Sequence, residues 1–369
     1  MKVGFDAKRL FHNFTGLGNY SRSLLSNLSQ YANKEWELHL YSPKLPSHVR
    51  VQEFLTEPYH QHNGKGMLWR SRGICKDLQR DGIDIYHGLS HEIPIGLGEK
   101  GIKSVVSMHD LIFLHHPHLY PFIDRKIYNW KFKYAAEHAD KILAISESTK
   151  ADLIHFYQTP EEKIEVLYQA CDEQFYRLNS RAENQLILDK HQLPKDYLLY
   201  VGSIIERKNL LGLVQAIEML PADLKIPLLI VGEGKSYKQK VQEYIAQKKL
   251  EKLFVFCEGV PFADFPALYQ EAKALIYPSH FEGFGIPVIE ALWSHTPVIT
   301  SQTSSLPEAG GPNSLYIDPK KIEEISAAIG KVLTDEKLAS QMIEKGADYV
   351  KRFHGKTLTK QLENIYNSL

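Results

Sequence analysis

The stretch SHFEGFGIPVIEAL (279–292) carries two carboxylates, Glu282 and Glu290, eight positions apart around two glycines and a proline. It follows a strand-like run, ALIYPS (274–279), and PVIEALW reads as the first turns of a helix, where Pro287 is tolerated because that amide would have no helical partner. Glu282 therefore falls in a loop and Glu290 on the helix, and the two address different parts of a ligand. A catalytic acid and base would instead converge on one bond. Two spaced acceptors suit a molecule with hydroxyl groups at both ends. Phe284, Gly285 and Ile286 add backbone N–H groups at the helix entrance, where anions are favoured. The competing reading is a loop glutamate and a helix-face glutamate paired with surface cations.

Three further stretches could do chemistry. In YVGSIIERKNLLGLVQAI (200–217) a strand ends at Gly202, a loop brings Arg207 and Lys208, and Asn209 stands where an N-cap would open the next helix. A helix N-terminus beside an Arg and a Lys suits a diphosphate, because the guanidinium offers a planar fork and the ammonium a point charge. In FTGLGNYSRSLL (14–25) Gly16, Leu17 and Gly18 form a loop after the first strand, where small residues let a ligand approach the backbone. In SVVSMHDLIF (104–113) His109 and Asp110 follow a buried strand, at the edge of the sheet where open α/β folds bind ligands. A basic pair before a helix, a lone G-x-G and a single His each have a purely structural reading as well.

Positioning these residues requires a regular framework. Short apolar runs at 2–6, 36–41, 84–88, 103–108, 141–146 and 163–168 alternate with helical stretches. Runs this apolar are buried on both faces, which implies a parallel sheet covered by helices. From 176 to 196 the chain turns polar and loses strand periodicity, as a linker does. The alternation restarts at 197–202, 225–232, 253–256, 274–279 and 296–301. The fold class is α/β, in two layered units facing each other across a cleft at the carboxyl ends of their strands.

Composition narrows the function classes. The 369 residues exceed what one core organises, and 44 Lys and Arg against 44 Asp and Glu argue against a nucleic-acid binder. Cys75, Cys171 and Cys257 lack metal-like spacing and fit a reduced compartment. The N-terminus MKVGFDAKRL has no signal-peptide pattern, and no apolar run is long enough to span a bilayer. The expectation is a cytoplasmic protein, with contact at the inner membrane face left open.

Together, TGLGNY, MHD, ISES, VGSIIERKN, EGFGIPVIEAL and TPVIT, in this order over nearly the whole chain, resemble the retaining glycosyltransferases of the GT-B fold, family four. The resemblance implies two Rossmann-like domains: 1–175 on the acceptor side, joined by a returning helix at about 355–369; a linker at 176–196; and a nucleotide-sugar domain at 197–354. It implies a metal-independent reaction without a resident cofactor. Arg207 and Lys208 would clamp the pyrophosphate, with Gly202 beneath them and Gly16, Leu17 and Gly18 approaching from the other domain. Glu282 would hold the transferred sugar, Glu290 the ribose hydroxyls, and Phe284, Gly285 and Ile286 would give amides to the sugar or distal phosphate. His109 would stand near the transferred sugar, and Val260 lies in EGVPFADFPALY (258–269), which resembles the base-binding loop. The start of the chain resembles bacterial mannosyltransferases of polysaccharide assembly, which implies GDP-mannose as donor and a glycan or lipid-linked glycan as acceptor. Two other readings stay open: a nucleotide-sugar epimerase, and a nucleotide-sugar-binding protein without turnover. His295 and Trp293 depart from the family, which favours Gly and a small residue there; altered local packing is expected.

Overall fold

The computed structural model describes residues 1–44, 49–66 and 68–369. The chain forms two compact units, one of Met1–Ala170 with Phe353–Leu369, the other of Cys171–Arg352.

The first unit holds a seven-stranded parallel sheet: β1 (Lys2–Asp6), β2 (Glu37–Ser42), β3 (Tyr59–Asn63), β4 (Ile85–Gly88), β5 (Lys103–Met108), β6 (Lys141–Ala144) and β7 (Ile164–Val166), in spatial order β3-β2-β1-β4-β5-β6-β7. The second holds six: β8 (Leu198–Val201), β9 (Leu228–Val231), β10 (Phe254–Cys257), β11 (Ala274–Tyr277), β12 (Val298–Ser301) and β13 (Leu315–Ile317), in order β10-β9-β8-β11-β12-β13. Both orders run outward from the first strand in one direction and then jump to its other side. That reversal creates a crevice at the strand ends, between β1 and β4 in one unit and between β8 and β11 in the other.

The central strands are apolar because helices cover both faces. Every residue of β8, β9 and β11 is buried, and Leu198, Ile230 and Ile276 pack with Leu213, Val214 and Ile329 from the flanking helices. Each such side chain contributes about 1.5–3 kcal/mol when fully withdrawn from water. The first unit builds equivalent layers around Val106, Ile142 and Leu153 on one side of its sheet and Leu78 and Tyr86 on another.

Two elements differ from the sequence expectation. The polar stretch 176–196 is not simply a linker, since it contains the helix Arg181–Lys190. Its start is fixed by a capping box: the Glu183 amide donates to Ser180 Oγ at 3.3 Å, and the Ser180 amide donates to Glu183 Oε2 at 2.7 Å. Asn184 Nδ2 donates to Glu271 Oε1 at 2.8 Å, which seats this helix on the second unit. The expected glycine loop at 16–18 is instead the first turn of the helix Gly16–Tyr31. The terminal helix Gly355–Asn367 belongs with the first unit.

Candidate active site

In the second unit the crevice between β8 and β11 is where the chemistry-bearing residues gather. After β8 the chain turns at Gly202, whose φ of +147° favours glycine, and forms the short turn Glu206–Lys208. A Cβ on Gly202 would lie 3.2 Å from Lys208 Cδ and 3.4 Å from its Nζ, so the bare backbone is what lets the lysine stem lie across it. Asn209 occupies the N-cap position in the left-handed conformation (φ +56°), which Asn tolerates, but it does not cap. Its Nδ2 donates to the carbonyl oxygen of Pro319 at 2.7 Å instead.

After β11 the loop brings Glu282 to these cations. Its Oε1 lies 2.8 Å from Arg207 Nη1 and 2.9 Å from Lys208 Nζ, and accepts from the Tyr277 hydroxyl at 3.2 Å. Arg207 also donates to the Phe281 carbonyl, and Lys208 to the Tyr277 hydroxyl. Glu282 is itself buried, with a residue exposure of 8%. Burial alone would raise its pKa, yet the charges of Lys208 and Arg207 overcome that and hold it down to about 2. Burial likewise lowers the Lys208 pKa, against the pull of Glu282. One carboxylate against two cations leaves this buried group with a net positive charge.

The loop is held from below. The Glu282 amide donates to Ser304 Oγ at 3.0 Å, and the Ser305 hydroxyl lies 2.8 and 3.0 Å from the carbonyl oxygens of Glu282 and Phe284. Phe284 is buried, and Gly285 (φ +129°) turns the chain into the helix Ile286–Trp293. A Cβ there would come within 2.9 Å of Leu306. On the inner face of that helix Glu290 is buried and its Oε2 accepts from the Tyr269 hydroxyl at 2.7 Å. Burial raises the Glu290 pKa to about 7, only partly offset by the Tyr269 bond, and the Asp172 carboxylate adds to the rise. Two glutamates eight positions apart thus have opposite electrostatics: one held ionised, the other poised near neutrality. Val260 lies in the connection after β10, the edge strand of this sheet, and is partly exposed.

In the first unit His109 follows β5 and is buried. Its Nε2 lies 2.8 Å from the Leu89 carbonyl oxygen and its Nδ1 3.2 Å from Gln169 Nε2, while the Tyr20 ring meets it edge-on at 4.5 Å. Burial lowers its pKa to about 4, with the Leu89 carbonyl working against the shift. Both ring nitrogens are therefore occupied, and the ring is neutral with its proton on Nε2. Gly16 has open space where a Cβ would stand, whereas a Cβ on Gly18 would sit 1.6 Å from the Asn13 carbonyl oxygen. The Gly18 amide donates to Asn13 Oδ1 at 3.1 Å. Gly18 is thus glycine for an internal packing reason, and the amides of Gly16 and Leu17 are those the helix geometry leaves without an intrahelical partner.

The structure brings Gly202, Arg207, Lys208, Glu282, Phe284, Gly285, Ile286 and Glu290 to the ends of two adjacent strands of one unit, and places His109 and Gly16–Gly18 in the other. Sequence reasoning missed Tyr269 and Tyr277, which bind the two glutamates, and the serines that anchor the loop. Tyr277 was visible as the polar-tipped end of an apolar strand five residues before Glu282. Tyr269 carried no such signal. Among the described residues, metal-ligand side chains come together at Glu37, His39 and His60, on β2 and β3 of the first unit. There the His39 and His60 rings stack with centroids 4.7 Å apart.

The chain resembles known proteins along nearly its whole length. Residues 15–175 match the model for Glycosyltransferase Family 4, and residues 183–349 match that for Glycosyl transferases group 1. The chain is 29% identical over 394 aligned residues to O-antigen chain mannosyltransferase B of Escherichia coli, covering 100% of both chains. Among solved structures it superposes on a glycosyltransferase from Rickettsia africae with a TM-score of 0.78 and 19% identity, covering 100% of this chain and 98% of the other. It superposes on Anabaena HepE in complex with UDP-glucose with a TM-score of 0.80 and 15% identity, covering 100% of both.

Proposed function

We propose that this chain, which belongs to the glycosyltransferases with family-four and group-1 domains and the GT-B fold, is a retaining mannosyltransferase of polysaccharide assembly. In this reading it takes mannose from GDP-mannose and adds it to a hydroxyl of a lipid-linked glycan. The observation that carries the reading is the buried Arg207–Lys208–Glu282 group at the crevice between β8 and β11, with Glu290 beside it on the next helix. The donor sugar and the acceptor class rest on the full-length likeness to O-antigen chain mannosyltransferase B.

The chemistry follows from those charges. The bond between the anomeric carbon and the diphosphate oxygen breaks, and its electron pair leaves with the diphosphate. Arg207, Lys208 and the amides at the Ile286–Trp293 entrance stabilise that growing negative charge from fixed positions. The acceptor oxygen bonds to the same face of the anomeric carbon and gives its proton to the departing phosphate oxygen. No protein nucleophile enters, so the configuration is retained by front-face substitution. The two cations supply the positive charge that a divalent metal would otherwise bring, and the reaction in this reading needs none. Glu282 accepts from hydroxyls of the transferred sugar, and Glu290 from the ribose diol. His109, with both nitrogens occupied, is a neutral ring and not an acid or base.

The test offers GDP-mannose and other nucleotide sugars with glycan acceptors, in the presence and absence of a chelator. Expected are GDP release that requires acceptor, and a product whose anomeric configuration by nuclear magnetic resonance matches the donor. Conversion of donor without acceptor would make the protein an epimerase. Tight donor binding with no turnover on any acceptor would make it a binding protein.

A further inference from the structure

The edge strand β3 is polar, and its two histidines meet a third on the neighbouring strand. β2 and β3 run parallel, with His39 opposite His60 and Tyr41 opposite His62. Because side chains alternate along a strand, Glu37, His39 and Tyr41 of β2 share one face of the sheet with His60 and His62 of β3. On that face the His39 ring stacks on both neighbours, with centroids 4.7 Å from His60 and 5.1 Å from His62. The Tyr41 ring stacks on His62 at 4.4 Å.

These groups form a chain that begins and ends on a carboxylate. Glu37 Oε2 lies 3.4 Å from His39 Nε2, His39 Nδ1 lies 2.9 Å from His62 Nε2, and His62 Nδ1 lies 3.2 Å from Asp81 Oδ2. Each of these gaps needs a proton, and two neutral imidazoles carry one proton fewer than the gaps require. Burial, with the charges of His60 and His62, lowers the His39 pKa, and burial lowers that of His62 against the pull of Asp81, so an extra proton on either ring is disfavoured. One gap therefore sets a ring lone pair against a carboxylate oxygen. The gap at Glu37 is the longest, which assigns the missing proton there: His39 donates through Nδ1 to His62, His62 donates through Nδ1 to Asp81, and the lone pair of His39 Nε2 faces Glu37. A cation joins two such groups. Lys2 Nζ lies 3.5 Å from Glu37 Oε2 with 40% of its side chain exposed, a loose contact that a bound dication would replace.

We propose that Glu37, His39 Nε2 and His60 hold one divalent cation of the zinc type, with His62 and Asp81 orienting His39 from behind. Ligands about 2.1 Å from a tetrahedral zinc stand about 3.4 Å from one another. That is the separation of Glu37 Oε2 and His39 Nε2. The ligand atoms of Glu37, His39 and His60 all lie within 4.8 Å of one another, so His60 completes the set by swinging from its stack, and water takes the fourth position. Imidazole and carboxylate suit this class of ion. A metal-bound histidine is fixed by what its other N–H meets, and here that N–H runs through His62 to Asp81. Glu37 and His39 stand in the amino-terminal half of β2, whereas the crevice of an open sheet lies at the carboxyl ends of its strands. The cation thus clasps the edge strand to its neighbour and takes no part in sugar transfer.

The full chain, first stripped with a chelator, would be titrated with Zn²⁺ by calorimetry and with Co²⁺ by visible absorption. Expected are one bound ion per chain, the strong d–d bands of four-coordinate cobalt, and a melting temperature that rises with Zn²⁺. Glu37→Gln with His60→Ala removes two ligands at the sheet edge and should weaken Zn²⁺ by more than the roughly 10–100-fold that loss of an outer partner costs, and should abolish the cobalt bands. The same variant should keep the wild-type circular dichroism and nucleotide affinity. His116 and His118, whose rings lie 5.9 Å apart elsewhere in this unit, serve as the control, and His116→Ala with His118→Ala should leave metal binding unchanged. The inference is overturned if the wild-type chain binds neither ion, or if the Glu37 and His60 variant binds Zn²⁺ as the wild type does. It is overturned equally if the control variant loses the ion, which would place the ion at His116 and His118.

Discussion

Glu282 and Glu290 are the same residue type in the same fourteen-residue stretch, and their surroundings push their acidities in opposite directions. Glu282 occupies both cations, so it competes with any phosphate for them. Glu282→Gln should therefore leave affinity for the bare nucleoside diphosphate unchanged or higher, while transfer collapses because the sugar hydroxyls exchange a charged, two-oxygen acceptor for a neutral amide. Glu290→Gln should instead weaken the bare nucleotide by roughly 1.5–3 kcal/mol, the worth of a hydrogen bond to a charged group. Calorimetry with nucleotide alone, paired with a transfer assay, checks both; equal losses of nucleotide affinity would refute the division. Protonation adds a second handle. Glu290 titrates near pH 7 before ligand arrives and would bind a diol best as the anion, so nucleotide affinity should rise as pH passes upward through about 7. That rise should flatten in Glu290→Gln, whereas the nucleotide's own titration is common to both proteins. The stability signs are opposite for the two groups. The raised Glu290 stabilises the folded chain in acid and loses that contribution as pH climbs towards 7, and the depressed Glu282 stabilises it above the ordinary carboxyl range and loses that contribution as pH falls towards 2.

Elements aim these residues, and the helix that carries Glu290 ends in a way that explains a sequence oddity. The His295 amide donates to the Leu292 carbonyl at 3.2 Å and the Thr296 amide to the Ala291 carbonyl at 2.9 Å, the paired bonds of a Schellman motif. The motif needs a left-handed residue after the cap, and His295 supplies it at φ +57°. The Gly that the family favours there is accordingly a backbone requirement, met here by a residue under strain. Trp293, the other departure, packs its ring at 4.5 Å from Tyr176. His295→Gly should relieve the strain at some cost in unfolded-state entropy, for a net gain of up to about 1 kcal/mol. A higher melting temperature with unchanged nucleotide affinity is the expected result, and a lower one would mean that the imidazole itself contributes. Elements also show where sequence reading succeeds. All the strands inside the two sheets announced themselves as apolar runs, because helices bury both their faces. The two strands that went unread, β3 and β13, are both edge strands: YHQHN is polar and LYI only three residues long. The helix Arg181–Lys190 did write its start as S-x-x-E, a signal outweighed by the polarity around it. What the sequence could not disclose was pairing at a distance, such as Tyr269 with Glu290, where neither residue type nor spacing marks the partner.

At the scale of the molecule, the second unit is one continuous span while the first is assembled from both ends of the chain. The closing piece is well anchored. Tyr366 is buried and its hydroxyl lies 2.6 Å from His87 Nδ1, His87 Nε2 lies 2.8 Å from Ser107 Oγ, and the Tyr20 hydroxyl reaches the same Ser107 at 2.7 Å. Burial pushes His87 down to about 3, so it is a neutral link between terminal helix and sheet. Tyr366→Phe keeps the ring but strands that buried nitrogen, and should destabilise the first unit by about 1–3 kcal/mol without changing nucleotide affinity. Thermal unfolding and calorimetry on one preparation check this, and an unchanged melting temperature would mean the link is not needed.

The helix Gly355–Asn367 comes so close to the helix Gly16–Tyr31 that a Cβ on Gly355 would stand 2.1 Å from Asn27 Oδ1. On the ribosome this inverts the usual order of maturation. The groove along Tyr20, Leu24 and Asn27 stays uncovered until the helix Gly355–Asn367 has been made, which comes after the whole span from Cys171 to Arg352. A chain cut within the helix Gly355–Asn367 would therefore leave the span Cys171–Arg352 complete and cripple the half that was made first.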